Sequence, residues 1–187
     1  MGPNGLNSLL KIAQMEAYIH HPPPDDLERA FDFAALSALN LALEEMYGAH
    51  GGRGISLRIG QSAFAQGLKS FGAMRAVNDS AFRALPLNKR THYGLRGLAS
   101  ILTNFSDQTS HVENDDNTLL FISDVSPFSW ARDAEKPTCH MMVGMILECL
   151  RWSSNGYIFY VRETDCIAKG NDRCVFRVNK SAIGERI

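Results

Sequence analysis

The chain has 187 residues, 45% of them hydrophobic and 21% charged, with a formal net charge of −1 and four cysteines. That apolar fraction and near-zero charge exclude a mainly disordered chain, and the length suits one sizeable core. The longest apolar stretch, Met141 to Leu147, is about a third of the roughly 20 residues that a membrane span needs, and Met1 to Leu10 lacks the basic start and apolar run of a secretory signal, so the expectation is a cytoplasmic protein.

Taken in chain order, the apolar pattern predicts helices first. A short amphipathic segment, Leu9 to Tyr18, is cut off by Pro22-Pro23-Pro24, which forbid one continuous helix. Residues 1–24 are therefore expected as an N-terminal extension to a domain over 25–180, with 181–187 as a tail. Asp25 or Asp26 can cap the next helix, with Glu28 in capping-box spacing and Phe33, Leu36, Leu43 and Met46 or Tyr47 at helical period. Gly48 ends it, and Gly51, Gly52 and Gly54 make a flexible turn. Helices are predicted over Gln61 to Phe71, briefly over Ser80 to Leu85, and over Thr91 to Ser110, followed by a turn at residues 113–117.

Strand signals follow. Thr118 to Val125 is short and rich in Leu, Ile, Phe and Val. Cys139 to Trp152 is long enough for a buried helix and stops at Ser153-Ser154-Asn155-Gly156. Tyr157 to Arg162 alternates as a strand does, and Cys174 to Asn179 returns antiparallel after the turn Lys169 to Asp172. Helices followed by a small antiparallel sheet with one inserted helix make the class α+β.

The charge is unevenly distributed. Residues 1–50 carry −5, residues 51–100 carry +7 and the rest −3. The cations Arg53, Arg58, Lys69, Arg75, Arg83, Lys89, Arg90 and Arg96 are dispersed rather than clustered, which favours complementary packing within the chain or a dimer over a binding surface for an anion. Without a reading helix or an aromatic-basic motif, nucleic acid is not an expected partner.

The sharpest constellation is Glu163, Cys166 and Cys174 about a glycine-containing turn between strands, the arrangement from which small metal knuckles are built. Cys139, opening the preceding helix, can supply a fourth ligand, with His140 as its rival; the alternative is a set of buried free thiols. Cys149 lies ten residues beyond Cys139, about 80° round the helix, and is expected in the core. The glycine turn lacks the spacing of a dinucleotide or phosphate loop, and there is no Gly-x-Ser-x-Gly elbow, so nothing here points to an enzyme.

The order of Ser126-Pro127-Phe128, Pro137-Thr138-Cys139, Gly144, Gly156, Glu163-Thr164-Asp165-Cys166, Lys169-Gly170 and Cys174 to Val178 resembles the 4-vinyl reductase domain family over about the last third of the chain, with Arg58 and Gly60 fitting its upstream part more loosely. The resemblance implies a fold akin to haem nitric-oxide-binding and vesicle-tethering domains, usually dimeric. It implies structural zinc at Cys139, Glu163, Cys166 and Cys174, matching the zinc set of the family's aromatic sensors; backbone N–H groups and a neighbouring cation such as Lys169 or Arg173 are then expected to donate to the ligands. It also implies an enclosed pocket for a small apolar or aromatic ligand, here a hydrocarbon or similar guest, sensed by a homodimer and passed to a downstream protein partner.

Candidate pocket residues are His92, Phe105, Asp124, Phe128, Trp130, Met142 and Met145, together with Met141 and Tyr93. The family's aromatic sensors have a tryptophan where this chain aligns Asp124, which argues against phenol as the ligand, because an ionised carboxylate cannot copy an indole donor. Two other readings remain: an enzyme or accessory protein of tetrapyrrole metabolism, and a dimeric scaffold with a vestigial pocket.

Overall fold

The computed structural model describes residues 1–29, 31–71 and 80–184; Arg75 and Asp79 of the basic middle, and the last three residues of the expected tail, lie outside them. Helices α1 (Pro3–Ile12), α2 (Phe33–Ser70), α3 (Ser80–Ala84) and α4 (Leu87–Phe105) precede strands β1 (Ser110–Asn114) and β2 (Thr118–Ser123); α5 (His140–Ser154) then leads to β3 (Val161–Asp165) and β4 (Cys174–Asn179). The architecture is α+β: the four strands form one antiparallel sheet in the order β1-β2-β4-β3, and the helices share its core. Among the described residues no helix is long and apolar enough to cross a membrane.

Leu9, Leu10, Ala13 and Met15 are buried in the common hydrophobic cluster, so the first two dozen residues contribute to the core. Asp32, rather than Asp25 or Asp26, caps α2, its carboxylate accepting the Ala34 N–H at 2.8 Å; Asp26 instead accepts from Glu28 N–H in a local turn. The expected glycine turn contracts to one residue. Gly48, at φ 68° and ψ 169°, kinks α2, and Gly51, Gly52 and Gly54 are helical on its far side, so the two predicted helices run together from Phe33 to Ser70. A single residue in a conformation that only glycine adopts readily is enough to redirect the chain.

The long helix predicted to Ser110 ends at Phe105, and the predicted turn begins as strand: Ser110 to Asn114 pair with Ser123 to Leu119. This edge strand is polar and half-exposed, so it lacks the apolar signal by which strands are recognised. The predicted strand from Tyr157 is displaced to Val161–Asp165; Ile158 instead forms an isolated bridge to Gly184 that pins the start of the tail.

Two glycines set the relation of α2 to α5. A Cβ on Gly60 would lie 1.9 Å from the Met141 carbonyl oxygen, and one on Gly144 would lie 2.1 Å from the Leu57 carbonyl oxygen. The two backbones are therefore in direct contact, each glycine receiving the other helix's carbonyl. This crossing fixes the position of α5, and α5 contributes to both candidate sites described next.

Candidate metal centre and ligand cavity

The candidate metal centre lies where three elements meet. Cys139 is the N-cap residue of α5, Glu163 lies within β3, Cys166 follows β3 and Cys174 opens β4. A register shift between Glu163 and Asp165 interrupts the β3–β4 ladder beside the site, as bulges do where a side chain must be re-aimed. The short 3-10 turn Ile167–Lys169 and the left-handed Gly170 reverse the chain, and Asn171 fastens the reversal by accepting the Cys166 N–H at 3.0 Å.

The ligand atoms of Cys139, Glu163, Cys166 and Cys174 all lie within 4.8 Å of one another, and all four residues are buried. Cys139 Sγ and Cys174 Sγ are 3.6 Å apart, against about 3.8 Å for two thiolates at about 2.3 Å from a tetrahedral ion. All four cysteines are free, Cys149 lying buried in the core away from the cluster. Glu163 Oε2 accepts the Cys139 N–H at 3.0 Å, whereas Oε1 is buried with no partner among the described residues, an orphan acceptor that a cation would satisfy. The donor set can hold a metal ion. His140, the rival ligand, stays outside the cluster, half-buried against a separate polar cavity.

Hydroxyls and one backbone amide, rather than Lys169 or Arg173, surround the sulfurs. Ser126 and Ser129 approach Cys139 and Cys174 at 3.8 and 3.5 Å, Thr138 approaches Cys166 at 3.7 Å, and the Ile167 N–H donates to Cys174 at 3.4 Å. Lys169 and Arg173 are exposed to solvent. Burial, reinforced by the adjacent Cys166, pushes the Glu163 carboxyl up to about 8. Hydrogen bonding to Cys166 and Cys174, together with burial, raises the Cys139 thiol. Hydrogen bonds from Cys139 and Cys174 hold the Cys166 thiol well below its usual value, so without a cation the pocket favours one thiolate among protonated partners; a divalent ion would draw the remaining protons off.

A second site, of about 350 Å³, lies between α2, α4 and α5. Phe105, Phe128, Met141 and Met145 line it, and α2 contributes Ile59 and Gly60. The remaining candidates are elsewhere. Met142 is fully buried, one residue and hence about 100° round α5 from Met141, so it packs in the core. Trp130 is 46% exposed and meets Phe33 edge-on at 5.8 Å between ring centroids. His92 is half-buried and stacks on the exposed Tyr93. Asp124 is on the surface, where its carboxylate lies 3.6 Å from His111 Nδ1, so the objection to a phenolic ligand, which placed Asp124 in the pocket, does not stand.

Sequence reading missed Gln108, assigning it to the end of a helix. It is buried at the cavity wall, where its carboxamide nitrogen donates to Ser110 Oγ at 2.9 Å and Ser123 Oγ at 3.0 Å. Nothing among the described residues donates to its oxygen. The rim is held by Arg29, which donates to the Thr103 and Asn104 carbonyls at the C-terminus of α4 and to Asp107, a position where a cation also complements the helix dipole.

No family model and no curated protein matches the chain. Among solved structures, the phenol-responsive sensory domain of the transcription activator PoxR, determined with phenol, is 18% identical and aligns over 80% of this chain and 74% of its own with a TM-score of 0.57. An H-NOX protein from S. oneidensis in the Fe(II)NO ligation state is 10% identical and aligns over 98% and 100%, with a TM-score of 0.56. A vinyl-4-reductase family protein from Methanocaldococcus jannaschii is 19% identical over 63% and 82%, at 0.40. The first two likenesses establish the fold.

Proposed function

We propose that this protein is a non-enzymatic small-molecule sensor whose ligand-binding domain, residues 25–180 with the N-terminal segment packed on its core, holds a structural zinc ion at Cys139, Glu163, Cys166 and Cys174 and takes a small apolar or aromatic guest in the cavity between α2, α4 and α5. The observation that carries the reading is that one helix serves both sites: α5 begins at Cys139 of the candidate metal set, and its first two turns supply Met141 and Met145 to the cavity. Four protein ligands fill a tetrahedral shell and leave no position for substrate. Methionines can repack around different guests, while the ion ties the start of α5 to β3 and β4. A guest that shifts the far side of α5 then alters the sheet face, for a homodimer or another chain to read. The PoxR sensory domain, which shares the fold, was determined with phenol.

The cavity is mostly apolar, with Gln108 on its wall beside Glu28, Ser106 and Asp107; taking the Gln108 carboxamide as the acceptor, the preferred guest is an aromatic or hydrocarbon carrying one hydrogen-bond donor. Calorimetry should show para-cresol binding about tenfold more tightly than toluene, the equivalent of one hydrogen bond of about 1.4 kcal/mol. Gln108→Leu should remove that preference while leaving toluene affinity within about twofold. Native mass spectrometry of the purified protein should also show a retained guest. If no guest is retained and neither probe binds, the protein is a scaffold; turnover of a vinyl tetrapyrrole with a reduced cofactor would make it an enzyme.

Arg29 provides a kinetic test. Because it latches the rim to the end of α4, Arg29→Ala should speed para-cresol dissociation several-fold in stopped flow, with metal content unchanged. An unchanged rate would show that the guest leaves by another route.

A further inference from the structure

A cavity of about 680 Å³, rich in charged side chains, lies beside the candidate metal centre, bounded by the kinked part of α2, residues 132–138, the start of α5 and β3. Its basic side chains are His50, Arg53, Arg132, Lys136, His140 and Arg162. The carboxylates facing it are Glu44, Glu135 and Glu163. Two of these three are already engaged: Glu44 accepts Arg132 Nη2 with both oxygens, at 2.9 and 2.8 Å, and Glu163 accepts the Cys139 N–H.

Arg132 is the unusual member. Its side chain is only 4% exposed, and its Nη1 is buried with no partner among the described residues. A guanidinium that satisfies a carboxylate on one nitrogen and nothing on the other retains donor capacity suited to a second oxyanion. The start of α5 adds to this. Its N-cap residue, Cys139, makes no side-chain cap hydrogen bond, and Thr138 and His140 line the cavity, so a 15-residue helix begins beside this space; the Cys139 and His140 N–H groups already donate to Glu163 and to the Thr138 carbonyl, which leaves the helix dipole as its contribution.

We propose that this cavity binds a multivalent oxyanion, phosphoryl or carboxylate, anchored by Arg132 and received by Arg53, Arg162 and the start of α5. The site is separate from the apolar cavity, and its occupant would sit beside Glu163, the one metal ligand that lines this space. The competing role for these cations is to offset the charge of a thiolate-rich metal centre without binding anything further.

Calorimetry on the full-length, metal-loaded protein, with inorganic pyrophosphate and citrate as probes at fixed ionic strength, separates the two. Saturable binding of either supports the proposal, and the tighter of the two identifies the source as phosphoryl or carboxylate. Arg53→Gln combined with Arg162→Gln, both exposed positions, should weaken that binding at least tenfold while leaving metal content and para-cresol affinity unchanged. The paired variant Glu44→Gln with Arg132→Gln, which avoids stranding one partner of the ion pair, should abolish it. If neither probe binds, or if Arg53→Gln with Arg162→Gln lowers metal content and leaves anion binding intact, the cations serve the metal centre and the proposal is wrong. Loss of para-cresol binding with pyrophosphate or citrate binding retained would refute the sensor reading alone.

Discussion

Gly144→Ala should be among the most destabilising single substitutions in this protein, and Gly60→Ala its equal. Each added methyl would sit about 2 Å from a carbonyl oxygen of the opposite helix, and an obstacle of backbone cannot rotate away as a side chain does. Relief requires α2 and α5 to separate, which opens the packing along the whole crossing. Overpacking of this kind costs about 3 kcal/mol or more, enough to unfold a marginal domain. Denaturant titration should show a fall in midpoint for each variant, and the double variant should lose less than the sum of the two, because the first separation already relieves the second clash. Gly54→Ala and Gly97→Ala provide the contrast. Both lie within helices with open space where the methyl would go, so each should be neutral or stabilising by up to about 1 kcal/mol. Equal effects at all four positions would show that helix propensity, not the crossing, governs them.

The same crossing illustrates what a sequence reveals and what it conceals. Gly60 and Gly144 are visible as glycines, but nothing local says that they face each other across more than eighty residues. Periodicity located α4, α5, β2 and β4 because each has an apolar face to bury. It failed on Ser110 to Asn114, whose strand character comes from pairing with β2 rather than from its own side chains. It also misjudged the glycine-rich stretch after Tyr47, because composition does not indicate which glycine will take a positive φ. The residues of the buried Cys/Glu cluster stand out in the sequence as residue types around a short turn, a local pattern, with Cys139 supplied from the start of the preceding apolar helix. The cavity was only half legible. Phe105, Phe128 and Met145 converge, but Asp124 and Trp130 are carried to the surface by loop geometry that no spacing encodes, and Gln108 owes its importance to two serines on separate strands.

Glu163→Gln should move stability in opposite directions according to whether metal is bound. In the metal-free protein the carboxyl is raised to about 8 by burial, well above the ordinary carboxylate value in the unfolded chain. Between those two values the folded state holds a proton that the unfolded state lacks. The contribution of Glu163 is therefore greatest below the unfolded value and declines as pH rises towards 8. A glutamine keeps an acceptor for the Cys139 N–H without that cost, so metal-free Glu163→Gln should exceed the metal-free parent in stability at pH 8, with the gap closing near pH 5. With zinc bound the dependence reverses: the ion requires deprotonated ligands, so stability is lost as pH falls, and glutamine, a neutral and weaker ligand, should reduce zinc affinity at least tenfold. Chelation of the parent should lower the melting temperature by more than ten degrees, by comparison with structural zinc sites whose apparent binding energy is on the order of 10 kcal/mol. Cys166→Ala with Cys174→Ala should abolish zinc content in elemental analysis and make melting insensitive to chelator. A parent protein that melts at the same temperature with and without chelator, and carries no zinc as purified, would leave the four buried acids as a plain polar core, and the link from α5 to the sheet would have to come from packing alone.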